Sequence, residues 1–356
     1  MSRRTTGLLK AALSAMHFTG ADGALAPLTR GAGVIFMLHH VRPEPPEAFA
    51  PNRILTVTPD FLETVIQLVL DRGFDVLSLS DVHYRLAEGE LDRPFAAFTF
   101  DDGYRDNYQH AYPIFRRHGL PFTVYVPSDF AEGRGDLWWL KLESVVRALE
   151  TIEVKMHGAW RRFECREPDQ KDLTFDEIYW WLRSIPEREA RGIVDDLCRI
   201  HDIPVQGLCR DYVMTWDEIR ALASDPLVTI GAHTRAHYAL AKLTVAEARL
   251  EIEEGVRRLE AELGRPCRHF SYPYGDETSA GPREFELTRE LGFDTAVTTR
   301  KGLIHASHAD NLTALPRLSL NGNFQHERYV KVMLSGAPFA IWNAAQRVTK
   351  RSSASY

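Results

Sequence analysis

The sequence predicts an α/β fold in which parallel strands form a sheet or barrel surrounded by helices. Two observations carry that expectation. From residue 33 onward, apolar runs of about six residues alternate with stretches of helical periodicity, the pattern of successive βα units. The 356 residues suffice for one large α/β domain with an insertion, and 44% apolar with 26% charged residues is the composition of an ordinary globular chain.

The elements follow in order. MSRRTTGLLKAALSAMHFTG carries a weakly apolar stretch interrupted by Lys10, a spacing that suits a short amphipathic helix better than the core of a secretory signal. Residues 1–32 are read as an N-terminal extension. GVIFML (33–38) reads as a buried strand, and 58–73 as a helix with Thr58 as N-cap, Pro59 in its first turn and Gly73 as its stop. FDVLSLSD reads as the second strand, with a short helix from Asp81. FAAFTF is the third, followed by a helix over 105–118 closed by Gly119, and FTVYVP is the fourth. Later strands are expected in VTIGAHT (228–234), HFSYPYG (269–275) and DTAVTT (294–299), with a strongly periodic helix over 245–264.

Between the fourth strand and VTIGAHT the alternation breaks. Residues 136–213 hold a helix rich in Trp and Leu, a hairpin expected around His157-Gly158, and further helices through WWLRSI and IVDDLCRI. They are read as an insertion beside the mouth of a barrel spanning 33–320. Residues 321–356 are read as a C-terminal helix and a disordered tail.

A formal charge of −6 argues against a protein that covers nucleic-acid phosphates, and a carbohydrate substrate fits better. Cys165, Cys198, Cys209 and Cys267 show no CxxC pairing, so reduced thiols are expected. No window approaches the roughly 20 apolar residues of a transmembrane helix. A cytoplasmic location, at most peripheral to a membrane, follows from these readings.

Three strand ends are chemically loaded. TFDDG delivers Asp101 and Asp102 into a glycine where a buried strand stops; on its own this reads equally as a turn. GAHTRAH places His233 and His237 four apart, a spacing at which two imidazoles grip one cation. Either Asp101 or Asp102 could complete a two-histidine, one-carboxylate set for Zn, Fe or Co. FSYPYG offers a loop fixed by Pro273 and Gly275 that can present a backbone N–H and an aromatic wall.

TFDDG, HTRAH and SYPYG, in this order and at these separations, resemble the first three motifs of the polysaccharide deacetylase family, the NodB-homology domain of carbohydrate esterase family 4. MLHHVRP, TWDEIRAL, TAVTTRKG and LPRL extend the resemblance over roughly residues 33 to 320. It implies a distorted (β/α)7 barrel, here with a helical and hairpin insertion, and removal of acetyl groups from amino-sugar glycans with a divalent metal, zinc or cobalt among the options. Carried over, it makes Asp101 the catalytic base and Asp102, His233 and His237 the metal ligands, and it gives the Tyr274 N–H to the oxyanion.

The pattern departs from the family in two places. Where many members carry an arginine two positions before the proline of the third motif, this chain has Ser271; Arg317 of LPRL is expected to supply that cation to Asp101. The late leucine-histidine motif is missing, and His326 lies in a polar, turn-like context. His39 of MLHH, at the end of the first strand, is therefore the candidate general acid. The pairs Trp138-Trp139 and Trp180-Trp181 are read as core before sugar platforms, and Trp216 as packing a helix start. The expected activity is deacetylation of an N-acetylated amino-sugar glycan, chitooligosaccharide-like or a polysaccharide precursor. An O-acetyl esterase on xylan-like glycans and a glycan-binding pseudoenzyme are the competing readings.

Overall fold

The structure, a computed structural model, describes residues 3–45 and 47–342. Its strands are β1 (Gly33–Leu38), β2 (His40–Val41), β3 (Thr56–Val57), β4 (Asp75–Val76), β5 (Phe95–Phe100), β6 (Phe122–Val126), β7 (Thr151–Met156), β8 (Ala159–Glu164), β9 (Val228–Ala232), β10 (His269–Ser271), β11 (Thr295–Lys301) and β12 (Leu315–Ser319). Seven of them, all parallel, close a barrel in the order β1-β12-β11-β10-β9-β6-β5. Closure comes from β5 pairing back on β1 along its length, from Gly33 opposite Phe95 to Leu38 opposite Phe100. Every residue of β1 and β5 is buried, as expected of parallel strands covered on both faces.

Alternation along these strands sorts the core. Val34, Phe36, Leu38, Ala96, Phe98 and Phe100 pack outward among helices, whereas Ile35, Phe95 and Ala97 join Tyr125, Val297 and Leu315 in a smaller inner cluster. Leu79, Val82 and Leu86 of the helix Leu79–Glu88 pack into that cluster too.

The helix Pro59–Asp71 starts as expected, with the Thr58 side chain accepting from the Phe61 N–H. The second strand is shorter than expected and its helix begins two residues earlier, at Leu79. The Ser78 side chain accepts from Asp81 N–H, and that cap ends the extended run after Val76. The helix after β5 opens with a π-turn over Asn107–Ala111 before Tyr112–His118, and left-handed Gly119 (φ 65°) terminates it. Extended structure in VTIGAHT and HFSYPYG stops at Ala232 and Ser271, leaving His233 and Tyr274 on loops.

Between β6 and β9 the helices Trp138–Ala148, Pro168–Ser184, Glu187–Ile200 and Leu208–Tyr212 and the hairpin β7–β8 build a hydrophobic core of their own. The hairpin turns at His157 (φ 50°) and Gly158 (φ 83°), the two left-handed positions of a tight turn. Trp138, Trp139 and Trp181 are buried there, and Trp180 is half exposed. All four cysteines are buried and unpaired.

Helices Arg3–Thr19 and Ala21–Thr29 precede the barrel, and Glu327–Leu334 follows it. The Thr29 hydroxyl donates to the Ser335 carbonyl at 2.6 Å, tying the two ends together. His326 caps the last helix by accepting from Arg328 N–H. The tail expected to be disordered lies, from residue 343, outside the described residues. None of the described helices is long and apolar enough to cross a membrane.

Candidate active site

The chemically loaded residues all lie where barrel strands end, at the C-terminal mouth. Asp101 and Asp102 follow β5, His233 follows β9, Tyr274 lies three residues past β10, and His39 follows β1 directly. Four of the six described non-glycine residues with positive φ are here: Asp102 (72°), Thr234 (64°), His237 (59°) and Tyr274 (60°). Such conformations persist only where the surroundings over-determine them, and they concentrate at functional sites. Gly103 continues the left-handed path (φ 66°) with Val126 only 3.3 Å from where a Cβ would sit, so the chain after the doubled acid needs glycine.

Asp101 and Arg317 form a two-pronged ion pair. Arg317 Nη1 donates to Asp101 Oδ1 at 2.8 Å and Nη2 to Oδ2 at 2.6 Å. The guanidinium is fully buried on β12, and its other donors go to Thr99 Oγ1, Ser271 Oγ and the Thr298 carbonyl. Arg317 thus reaches the carboxylate directly, and Ser271 donates no charge but accepts from it. Burial raises the Asp101 pKa, yet Arg317, followed by His233 and His39, outweighs burial and holds the carboxyl below its ordinary range.

Asp102 turns the other way. Its Oδ1 lies 3.4 Å from His233 Nε2 and 3.2 Å from His237 Nε2. All three residues are buried, and one ligand atom from each lies within 4.8 Å of the others. The His233 Nδ1–H donates to the Ser271 carbonyl at 2.6 Å, which leaves Nε2 with its lone pair toward the cluster. Among the described residues, none donates a hydrogen bond of acceptable geometry to Asp102 Oδ1. A buried carboxylate oxygen without a donor, converging with two imidazoles, fits a divalent cation, and this donor set suits Zn, Co or Fe. Burial raises the Asp102 pKa, but His237 and His233 hold its carboxyl well below the usual range.

His39 Nε2 stands 4.0 Å from Asp101 Oδ2 with its side chain partly exposed, so it faces both that carboxylate and the mouth. Its backbone is fixed from the same loop: Asn107 Nδ2 donates to the His39 carbonyl at 2.7 Å. Neighbouring His40 pairs with Asp106 at 2.7 Å, and Asp106 also accepts from Arg42 Nε and Val41 N–H. Burial pushes the His39 pKa below its ordinary value, with Asp102 and Asp101 pulling back.

The insertion completes the wall. The His237 ring packs against Tyr274, Trp139 and Phe130. Tyr274 is pinned by Trp138 Nε1, which donates to its hydroxyl at 2.8 Å, and by the Arg183 guanidinium stacked 3.6 Å from its ring centre. Its backbone N–H has no acceptor among the described residues. Arg191 donates to the carbonyls of Ala236 and His237, each at 3.1 Å, and to Glu187, whose second oxygen accepts from Ala239 N–H at 2.8 Å. The later half of the histidine loop, from Ala236 to Ala239, is therefore fastened to one buried ion pair.

The family model described as polysaccharide deacetylase matches residues 88–296, more than half of the chain. The chain belongs to the polysaccharide deacetylase family. Among curated relatives, the poly-beta-1,6-N-acetyl-D-glucosamine N-deacetylase of Escherichia coli (strain K12) is 21% identical over 302 residues, covering 77% of this chain and 35% of that one. The chain spans between 26% and 35% of the length of the curated relatives it matches. Among solved structures, the Streptococcus pyogenes deacetylase PplD in complex with acetate aligns with a TM-score of 0.57 at 18% identity, over 84% of this chain and 97% of that one. IcaB from Ammonifex degensii aligns at 0.52 and 17% identity, over 86% and 97%. At these identities the structural likeness concerns the fold, a deacetylase barrel.

Sequence reasoning about this polysaccharide deacetylase missed Arg183, Glu187 and Arg191. Glu187 and Arg191 are spaced as an ordinary helix-surface pair, and only the fold reveals that they are buried against the histidine loop.

Proposed function

We propose that this polysaccharide deacetylase is a metal-dependent hydrolase that removes acetyl groups from an N-acetylated amino-sugar glycan. The observation that carries the reading is the division of labour between adjacent acids: Asp101 is locked to Arg317, and Asp102 is aimed at His233 and His237. The amide preference rests on the likeness to the Escherichia coli relative, an N-deacetylase.

Asp102, His233 and His237 would hold the cation, zinc or cobalt. A divalent ion there supplies Lewis-acid activation of a water molecule and of the acetyl carbonyl. Asp101 accepts the proton of the attacking water. Arg317 keeps that carboxylate ionised and oriented, since the two prongs leave it one rotamer. The Tyr274 N–H donates to the oxygen that gains charge as the carbonyl carbon becomes tetrahedral. His39 hands a proton to the departing amine nitrogen, which could not otherwise leave as a neutral group.

Paired amide and ester substrates test the reading. Acetate should appear from N-acetylglucosamine oligomers at a kcat/KM well above that for O-acetylated xylan. Preference for the ester would replace the proposed activity with an esterase, and glycan binding with no turnover of either would make the protein a binding module.

A further inference from the structure

The two helices that precede the barrel carry their apolar side outward. In Arg3–Thr19 the inner side is the one that holds Leu9, Leu13 and Met16, partly buried, with Ser14 and Lys10 close to Tyr329 of the last helix. The exposed residues from 5 to 19 are Thr5, Gly7, Leu8, Ala11, Ala12, Ala15, Phe18 and Thr19, none of them charged. Leu8, Ala11, Ala12, Ala15 and Phe18 follow helical spacing, so they form one stripe. In Ala21–Thr29 the exposed residues are Gly23, Ala24, Pro27 and Leu28. A surface helix of a globular protein normally turns charged residues to water, and the exposed positions of this pair between residues 5 and 29 carry none. Leu28 at 86% and Phe18 at 76% are the most exposed large apolar side chains among the described residues, and Leu8 stands at 73%.

Charge decides the occupant. Residues 1–32 hold four Arg or Lys against one acid, Asp22, and residues 336–356 hold three against none, in a chain whose net charge is −6. The ends of the chain are therefore basic and the barrel acidic. A second copy would bring like charge against like. An anionic lipid surface offers acyl chains to the stripe and negative headgroups to the basic residues of these segments, exposed Arg30 among them. We infer that the outward face of helices Arg3–Thr19 and Ala21–Thr29 docks on an anionic bilayer, lying in the interface without crossing it. Only Arg30, Gly31 and Ala32 separate the second helix from the first residue of β1, so the docking face adjoins the end of the barrel where strands begin. The mouth stays open to a glycan.

The test is co-sedimentation of the full chain with sucrose-loaded vesicles of phosphatidylcholine containing 30% phosphatidylglycerol, beside vesicles of phosphatidylcholine alone. The wild type should pellet with the anionic vesicles and release in high salt. The variant Leu8→Asn/Phe18→Asn/Leu28→Asn should stay in the supernatant while releasing acetate from soluble oligomers at the wild-type rate. Arg3→Gln/Arg30→Gln, which leaves the apolar stripe intact, should lower partitioning at least about tenfold. Wild type that remains in the supernatant at low salt, or a triple variant that pellets as well as wild type, would overturn the inference. So would a wild-type dimer, by light scattering, that the triple variant converts to monomer without any vesicle binding. Vesicle binding is read independently of acetate release, so loss of one does not mimic failure of the other.

Discussion

Arg317 grips both oxygens of Asp101, at 2.8 and 2.6 Å, from the opposite side of the barrel closure. Both residues are buried, with β12 supplying the cation and β5 the acid. Removing the cation leaves a buried carboxylate without its partner, which costs about 3–5 kcal/mol in comparable pairs. Arg317→Ala should therefore lower the melting temperature and reduce kcat by at least about a hundredfold. Arg317→Lys should recover part of the stability and little of the rate, because an ammonium cannot reproduce the two-pronged geometry. Wild-type turnover in Arg317→Ala would remove Arg317 from the site.

His39 gives the pH dependence its basic side. Burial holds its pKa below the ordinary 6.5, and a general acid loses function as pH rises through its pKa. Activity should decline on that side in wild type, and His39→Gln should lose the basic limb together with most of kcat. A basic limb unchanged in His39→Gln would return the acid role to another group.

Asp106 predicts an acid-side stability change. Burial raises its pKa, but His40 and Arg42 hold it below the ordinary 3.8. A carboxylate depressed in the fold contributes stability that is present above its unfolded pKa and lost as pH falls through the folded one. Unfolding free energies of wild type and Asp106→Asn from urea titration should differ by about 3 kcal/mol near neutrality and converge as pH drops below 3.8. A constant gap across that range would mean that the pair contributes through packing alone.

Arg191 acts at one remove, through the carbonyls of Ala236 and His237. Arg191→Met should weaken cobalt affinity roughly tenfold to a hundredfold, the usual effect of losing a group that orients a ligand. The visible spectrum of the cobalt protein should change with it. A lower melting temperature with unchanged cobalt affinity and spectrum would make Arg191 a structural residue only.

Much of the barrel was legible because parallel strands buried on both faces must be continuous apolar runs: GVIFML and FAAFTF coincide with β1 and β5 residue for residue. Strand ends were less legible. Ser78 ended the second strand early by capping a helix, and at Ala232 and Ser271 the chain departs from extended structure into loops that a β-rich composition conceals. Asp101, Asp102, His233 and His237 could be picked out because the side-by-side acids, which alone read equally as a turn, stand with an i,i+4 histidine pair and SYPYG in the order and separations of the family's motifs. The absence of arginine at Ser271 even pointed to Arg317, since a buried carboxylate needs a cation from somewhere. The contribution of the insertion was invisible: Glu187 and Arg191 look like a solvated pair until 136–213 folds against the mouth. Trp138 and Trp139, read as core, are core, but their edges also face Tyr274 and His237.

Acetate release from N-acetylglucosamine oligomers by the purified chain, stripped of metal and then given zinc or cobalt, tests the central claim most directly. Release should be absent from the stripped protein, return with either metal, and vanish in Asp101→Asn although that variant still binds cobalt through Asp102, His233 and His237. Release that survives metal removal, or that persists in Asp101→Asn, would contradict it.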